Sequence, residues 1–127
     1  MGAERPIYLD YQATTPCDPR VVAAMAPWWS ESFGNAASKT HAFGWEAAEA
    51  VERARRELAA LIGADAREIV FTSGATEANN LALLGTARAR RSARDRVIAL
   101  ATEHRSVLDP LAQLEREGLR VTRFGVL

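Results

Sequence analysis

The junction at residues 68–80 constrains this chain most. Ile69, Val70 and Phe71 are apolar and β-prone, Ser73-Gly74-Ala75-Thr76 interrupts them, and helix-forming sequence follows at once. The pattern predicts a strand at Ile69–Thr72 and a helix from Ala75 to about Arg91, joined by a turn that Gly74 permits. An abrupt helix start leaves the first N–H groups without intrahelical acceptors, all pointing at one place. An anion there meets the positive end of the helix dipole, and the hydroxyls of Ser73 and Thr76 can add donors. The same residues also suit an ordinary helix cap, and the local sequence leaves both readings open.

The rest of the chain repeats the strand-then-helix theme. Ile7 to Thr15 is expected to be an extended arm closed by Pro16, and Asp18-Pro19 a cap followed by proline at the first helical position, with Pro27 as the stop. Trp28 to Phe43 has no sustained period and is expected to be a loop carrying Phe33-Gly34-Asn35-Ala36-Ala37-Ser38. A helix is predicted over Gly44 to Ile62, with Trp45, Ala48, Val51, Leu58, Leu61 and Ile62 mostly on one face and Gly63 as its stop. A strand at Val97–Ala101, a helix from about Ser106 to Glu117 and a strand from Leu119 complete the series. Alternation of this kind predicts an α/β fold with a parallel sheet and right-handed crossovers. Ligands in such sheets bind beyond the carboxyl ends of the strands, where Ser73–Thr76 and Thr102-Glu103-His104 fall. The apolar run Leu119, Val121, Phe124, Val126, Leu127 is followed by no covering helix, so the sheet is expected to be the first part of a larger one.

With 127 residues, 48% of them hydrophobic, the chain is the size of one ordinary domain, here expected to be a single partial one. Its 16 basic and 16 acidic residues balance, which argues against nucleic acid or an anionic membrane as partner. There is no apolar run of about 18 residues and no basic start followed by an apolar segment, and the expected location is the cytoplasm. Cys17 is the only cysteine and His41 and His104 are the only histidines, so neither an internal disulfide nor a metal site is expected. Lys39 is the only lysine.

Two readings compete for several side chains. His104 follows a strand and precedes a helix: it could cap that helix, or offer a flat titratable ring beside a bound cofactor. Asn35 could line a site or form a turn. Cys17, between Pro16 and Asp18, has no neighbour to activate it and reads as a small filler. The arginines 88, 90, 91, 94 and 96 read as a solvated helix end, and Trp28, Trp29, Phe33, Phe43 and Trp45 as packing. Neither G-x-G-x-x-G nor G-x-x-x-x-G-K-[ST] occurs, which argues against a dinucleotide fold or a P-loop.

Taken together, Ile7-Tyr-Leu-Asp-Tyr-Gln-Ala-Thr-Thr-Pro16, Phe33-Gly-Asn-Ala-Ala-Ser38 with His41 nearby, Glu68-Ile-Val-Phe-Thr-Ser-Gly-Ala-Thr-Glu77 and Thr102-Glu-His104 closely resemble the N-terminal part of cysteine desulfurases. These are pyridoxal-phosphate enzymes of fold type I, in aminotransferase class V, that supply sulfur for iron–sulfur cluster assembly. The one small departure is Ala36, where many relatives carry proline. The resemblance implies an extended N-terminal arm over residues 1–16 and, over 17–127, the first part of a three-layer cofactor-binding large domain. It implies that Ala75 and Thr76 bind the cofactor phosphate with Gly74 beside them, that His104 stacks on the pyridine ring and moves protons as cysteine becomes alanine, and that Asn35 lies toward the substrate. The family's Schiff-base lysine, its ring-pairing aspartate and its sulfur-accepting cysteine match no position here: Lys39 and Cys17 lie in the wrong places. Those groups are expected downstream or on a second polypeptide, and this chain alone is expected to be inactive. L-cysteine as substrate, a scaffold protein as sulfur acceptor, and a homodimer or heteromeric assembly are the implied partners. A selenocysteine lyase or aminotransferase of the same class is the alternative, and a noncatalytic domain that binds a phosphate-bearing ligand or a partner protein is another.

Overall fold

The computed structural model describes residues 6–126 and divides the chain into two compact units, Met1–Ile69 and Val70–Leu127. The first five residues of the expected arm, and Leu127 of the apolar end, lie outside the described residues.

The first unit is helical. Asp18 caps helix α1 (Pro19–Met25) by accepting the N–H of Arg20 at 2.8 Å, with Pro19 at the first position as expected. Pro27 ends that helix but also begins another, α2 (Pro27–Ser30), so Trp28, Trp29 and Ser30 are helical rather than loop. At a first helical position proline forfeits no bond and its φ is already set. The arm is not extended throughout, because residues 11–13 turn and the Ala13 N–H bonds the Asp10 carbonyl at 3.0 Å. Helix α3 (Ala42–Ile62) is capped by the His41 ring and stopped by Gly63 in the left-handed conformation at φ 70°. Its buried positions are Gly44, Ala47 and Ala59, whereas Trp45, Leu61 and Ile62 are largely exposed. The burial of small residues follows from close approach of the preceding loop. A Cβ on Gly44 would lie 2.0 Å from the Ser38 carbonyl oxygen, and one on Gly34 would lie 2.0 Å from that of Phe43. A short 3₁₀ turn at Ala66–Glu68 closes the unit, held by a reciprocal Asp65 and Glu68 capping box and by Arg55, which donates to the Ile69 carbonyl.

The second unit carries the sheet. Strands β1 (Arg96–Leu100) and β2 (Arg120–Phe124) pair in parallel from Arg96 opposite Arg120 to Leu100 opposite Phe124, as the alternation predicted. Helices α4 (Ala75–Arg90) and α5 (Arg105–Arg116) pack around them. Leu111 and Leu114 of α5, both 0% exposed, and Leu119 form the core, against Leu84 and Ala87 of α4, Val97 and Ala99 of β1 and Val121 of β2. Arg88 of α4 ties the far end of α5 through Glu117 at 2.5 and 3.1 Å. The expected strand at Ile69–Thr72 is absent: Ile69 is extended at φ −87° and ψ 123°, but the described sheet contains only β1 and β2. Side-chain pattern sets an extended backbone, and only a neighbouring ladder makes it a strand. β2 likewise ends at Phe124, so Gly125 and Val126 are irregular.

Candidate functional site

Helix α4 begins with its amides uncovered. Gly74 is the N-cap at φ 159° and ψ −176°, a backbone conformation that residues with a side chain rarely adopt, and the chain bends at Ser73 and Gly74 into the helix as expected; a cap without a side chain provides no capping bond to the helix. The first backbone bond into the cap is Ala78 N–H to the Gly74 carbonyl at 3.1 Å, which leaves the preceding amides of Ala75 and Thr76 uncovered. Ser73 is turned away from this position: its N–H and hydroxyl donate to Glu77 Oε2 at 2.6 and 2.7 Å. Those two bonds, the backbone one foremost, hold the Glu77 carboxyl below its usual pKa. The expected Ser73 contribution to an anion site is therefore replaced by a latch across the first turn. Thr72 Oγ1 donates to the Gly74 carbonyl at 3.1 Å, and Asn80 Nδ2 to the Thr76 carbonyl at 2.8 Å.

Thr76 and His104 line one open cleft of about 460 Å³, together with Asn80, Arg105, Asp109 and Gln113. Arg105 and Asp109 form an ion pair at 3.6 Å on its wall. The sequence placed Thr76 and His104 at the ends of two different segments, and folding brings both to this surface. Gly74 and Ala75 immediately precede Thr76 without lining the cleft. Uncovered amides, the Thr76 hydroxyl and an imidazole are a donor set that suits a phosphorylated, flat ligand.

His104 also caps α5, with Nδ1 accepting the Ser106 N–H at 3.1 Å and the Ser106 Oγ at 2.9 Å from the same nitrogen. Asn79 of α4 reaches that hydroxyl through Nδ2 at 2.9 Å. Ser106, Asn79 and Glu77 were missed by sequence reasoning. Glu77 stands three residues after Gly74, a capping spacing that could have flagged it, whereas nothing local links Asn79 to Ser106.

The other candidates lie in the first unit. Asn35 forms a turn, its Oδ1 accepting the Ala37 N–H at 2.9 Å and its carbonyl the Ser38 N–H at 2.9 Å. Lys39 sits in the loop before α3, where its carbonyl accepts from the Trp45 indole at 2.8 Å, and Cys17 is an exposed free thiol. A larger cleft of about 670 Å³ runs between α4 and β1, lined by Arg90, Arg94, Arg96, Val97 and Ile98 among others. It shares no residue with the Thr76 and His104 cleft. Its only titratable lining groups are arginines, so size does not make it the chemical site. Among the described residues no group of three or more His, Cys, Asp or Glu side chains could hold a metal, and no helix is long and apolar enough to cross a membrane.

Comparison with known proteins identifies the family and the fold. The family model for aminotransferase class V matches residues 7–127. A cysteine desulfurase IscS of Neisseria meningitidis is 56% identical over 126 residues, 99% of this chain and 31% of that protein. A cysteine desulfurase of Mus musculus is 57% identical over 122 residues, 96% of this chain and 27% of that protein. Among solved structures, a NifS-like protein superposes with a TM-score of 0.82 at 35% identity, over 92% of this chain and 32% of that one. A protein described as SspA in complex with cysteine gives 0.79 at 40% identity, over 92% and 33%. The fold is thus part of the α/β architecture of these fold type I desulfurases, and the chain spans about a third of the length of the relatives it matches.

Proposed function

The chain belongs to the aminotransferase class V family, and from that premise we propose that it is the N-terminal part of a pyridoxal-phosphate-dependent cysteine desulfurase. The whole enzyme converts L-cysteine to L-alanine and delivers sulfur as a persulfide for iron–sulfur cluster assembly. The observation that carries the reading is the convergence of Thr76, at an uncovered helix start, and His104 on one cleft. Relatives that share more than half of their aligned residues with this chain bear the desulfurase name, and a structural neighbour was solved with cysteine.

In this reading the amides of Ala75 and Thr76 and the Thr76 hydroxyl hold the cofactor phosphate, which the α4 dipole favours by about 0.3–1 kcal/mol at an exposed site. The His104 imidazole, which lines the same cleft, would lie against the pyridine ring and hold the proton used beside the substrate. When bound, pyridoxal phosphate supplies an electron sink for the substrate carbon. Asn35 serves the substrate side. Lys39 is the only lysine and does not match the position of the family's Schiff-base lysine, so the covalent lysine comes from downstream sequence or a second polypeptide, as do the aspartate and the sulfur-accepting cysteine. Alone, this polypeptide turns over no cysteine. Completed, it forms a homodimer or heteromeric assembly that hands sulfur to a scaffold protein.

The test is co-expression with sequence completing the enzyme. Visible absorbance of bound pyridoxal phosphate, alanine formation from cysteine, and loss of cofactor affinity in Thr76→Ala are expected. A well-folded assembly that stays colourless after cofactor is added refutes the proposal.

A further inference from the structure

We propose that Asn79 and Ser106 are positioning residues for His104, fixing its neutral imidazole as the tautomer that carries the proton on Nε2. The assignment follows from which partners can only donate. The Ser106 backbone N–H lies 3.1 Å from His104 Nδ1, and a backbone amide has no lone pair to offer, so Nδ1 accepts. The Ser106 hydroxyl lies 2.9 Å from the same nitrogen and is itself reached by Asn79 Nδ2 at 2.9 Å. With the amide nitrogen donating into Oγ, the hydroxyl proton is left to point at Nδ1, whose single lone pair it shares with the backbone N–H. Three bonds therefore run in one direction, Asn79 to Ser106 to His104. The proton of the neutral ring is left on Nε2, which has no hydrogen-bond partner among the described residues.

Burial gives the relay its force. Ser106 is only 8% exposed, and a buried hydroxyl must be satisfied within the protein, so it cannot swing to solvent when the ring turns. His41 supplies the comparison within the same chain: its Nδ1 caps α3 by accepting the Gly44 N–H at 3.2 Å, but it has no hydroxyl or amide behind it. One backbone donor suffices to cap a helix, and the additional pair at His104 holds the ring plane and reinforces the tautomer beside the cleft. The inference rests on the proposed function for what the Nε2 proton meets, namely substrate or cofactor. The tautomer itself is a property of this chain.

Nitrogen-15 labelling of histidine in the 127-residue polypeptide reads both rings by NMR at a pH where they are neutral, with His41→Asn assigning the pair. In the wild type, His104 Nδ1 is expected to be the unprotonated nitrogen and Nε2 the protonated one. Ser106→Ala removes one donor and should lower the ratio of Nε2–H to Nδ1–H tautomer about fivefold, the worth of one ordinary hydrogen bond. Asn79→Asp keeps the shape but presents only acceptors, draws the hydroxyl proton away from Nδ1 and should shift the ratio the same way. His41 should not change in either variant. A wild-type His104 protonated at Nδ1, or a ratio unmoved in both variants, overturns the proposal. Cofactor uptake by the completed wild-type enzyme is read separately from its visible spectrum, so failure of the desulfurase reading and failure of the relay are told apart.

Discussion

Replacing Ala75 by proline should cut cofactor affinity while leaving the helix intact. Ala75 is the first residue of α4, and the first backbone bond into the cap is made three residues later, by Ala78. Its N–H therefore supports no helical bond, and proline at that position removes a donor that only a ligand uses. The chain itself shows the position tolerates proline, since Pro19 and Pro27 begin α1 and α2. Gly74, at φ 159° and ψ −176°, lies outside the α region that a following proline disfavours. A hydrogen bond to a charged acceptor is worth about 1.5–3 kcal/mol, so losing this one should weaken pyridoxal phosphate binding about 10- to 150-fold. The pyrrolidine ring would stand where the N–H pointed, which makes the figure a lower bound. Binding is measured by visible absorbance in the completed enzyme, and α4 by far-ultraviolet circular dichroism. Pyridoxal without its phosphate should lose little. Wild-type affinity in Ala75→Pro, or an equal loss with pyridoxal, refutes phosphate binding at this amide; loss of helix signal refutes the tolerance argument.

Leu114→Ala should cost about 2–5 kcal/mol, because Leu114 is wholly buried. A unit of this length holds about 3–9 kcal/mol at roughly 0.05–0.15 kcal/mol per residue, so most of its stability should go. All three tryptophans lie in the first unit, so in urea the helix signal should fall before tryptophan fluorescence changes; coincident transitions refute the division into units. Gly44→Ala, ordinarily a gain of about 1 kcal/mol in a helix, should instead destabilise by about 1–3 kcal/mol, since the new Cβ meets the Ser38 carbonyl at 2.0 Å. A raised melting temperature contradicts it. Glu117, held at a pKa of about 2 first by Arg88 and then by Gln113, is depressed in the folded state, so its contribution is complete above its ordinary 4.5 and is lost as pH falls from there toward about 2. Asp95 beside Arg120 and Glu115 beside Arg123 act in the same direction. Urea midpoints measured across that window should fall with pH in the wild type and more weakly in Glu117→Gln.

Local signals carried most of the helices. The Asp18-Pro19 cap, the Gly63 stop and the Ala75 start are each written within a few residues of the element they bound, and each stands where the sequence placed it. Thr76 was legible for the same reason, because a helix start announces its uncovered amides locally, and His104 because it stands between a strand and the helix it caps. What was not legible depends on distance along the chain. The Asn79 to Ser106 bond spans 27 residues, and the burial that makes it matter arises only when α4 and α5 pack. Ile69–Thr72 failed in the opposite way: its residues specify extension, but pairing belongs to whatever lies alongside.

β1 contains the same lesson in its two faces. Val97 and Ala99 turn toward Leu111 and Leu114, while Ile98 and Leu100 alternate with them and stay 64% and 45% exposed. Phe124, opposite Leu100 on β2, is 54% exposed on the same side. A strand with apolar residues at four consecutive positions, 97 to 100, has the composition of one covered on both faces, as parallel strands of α/β sheets are. Only one face is covered by α4 and α5 in this unit. At about 25 cal/mol per Å², covering such side chains contributes on the order of 1 kcal/mol or more each. This gives a physical reason, independent of catalysis, for the proposed completion by further sequence: the residues that supply the missing chemistry and those that shelter this face would arrive together.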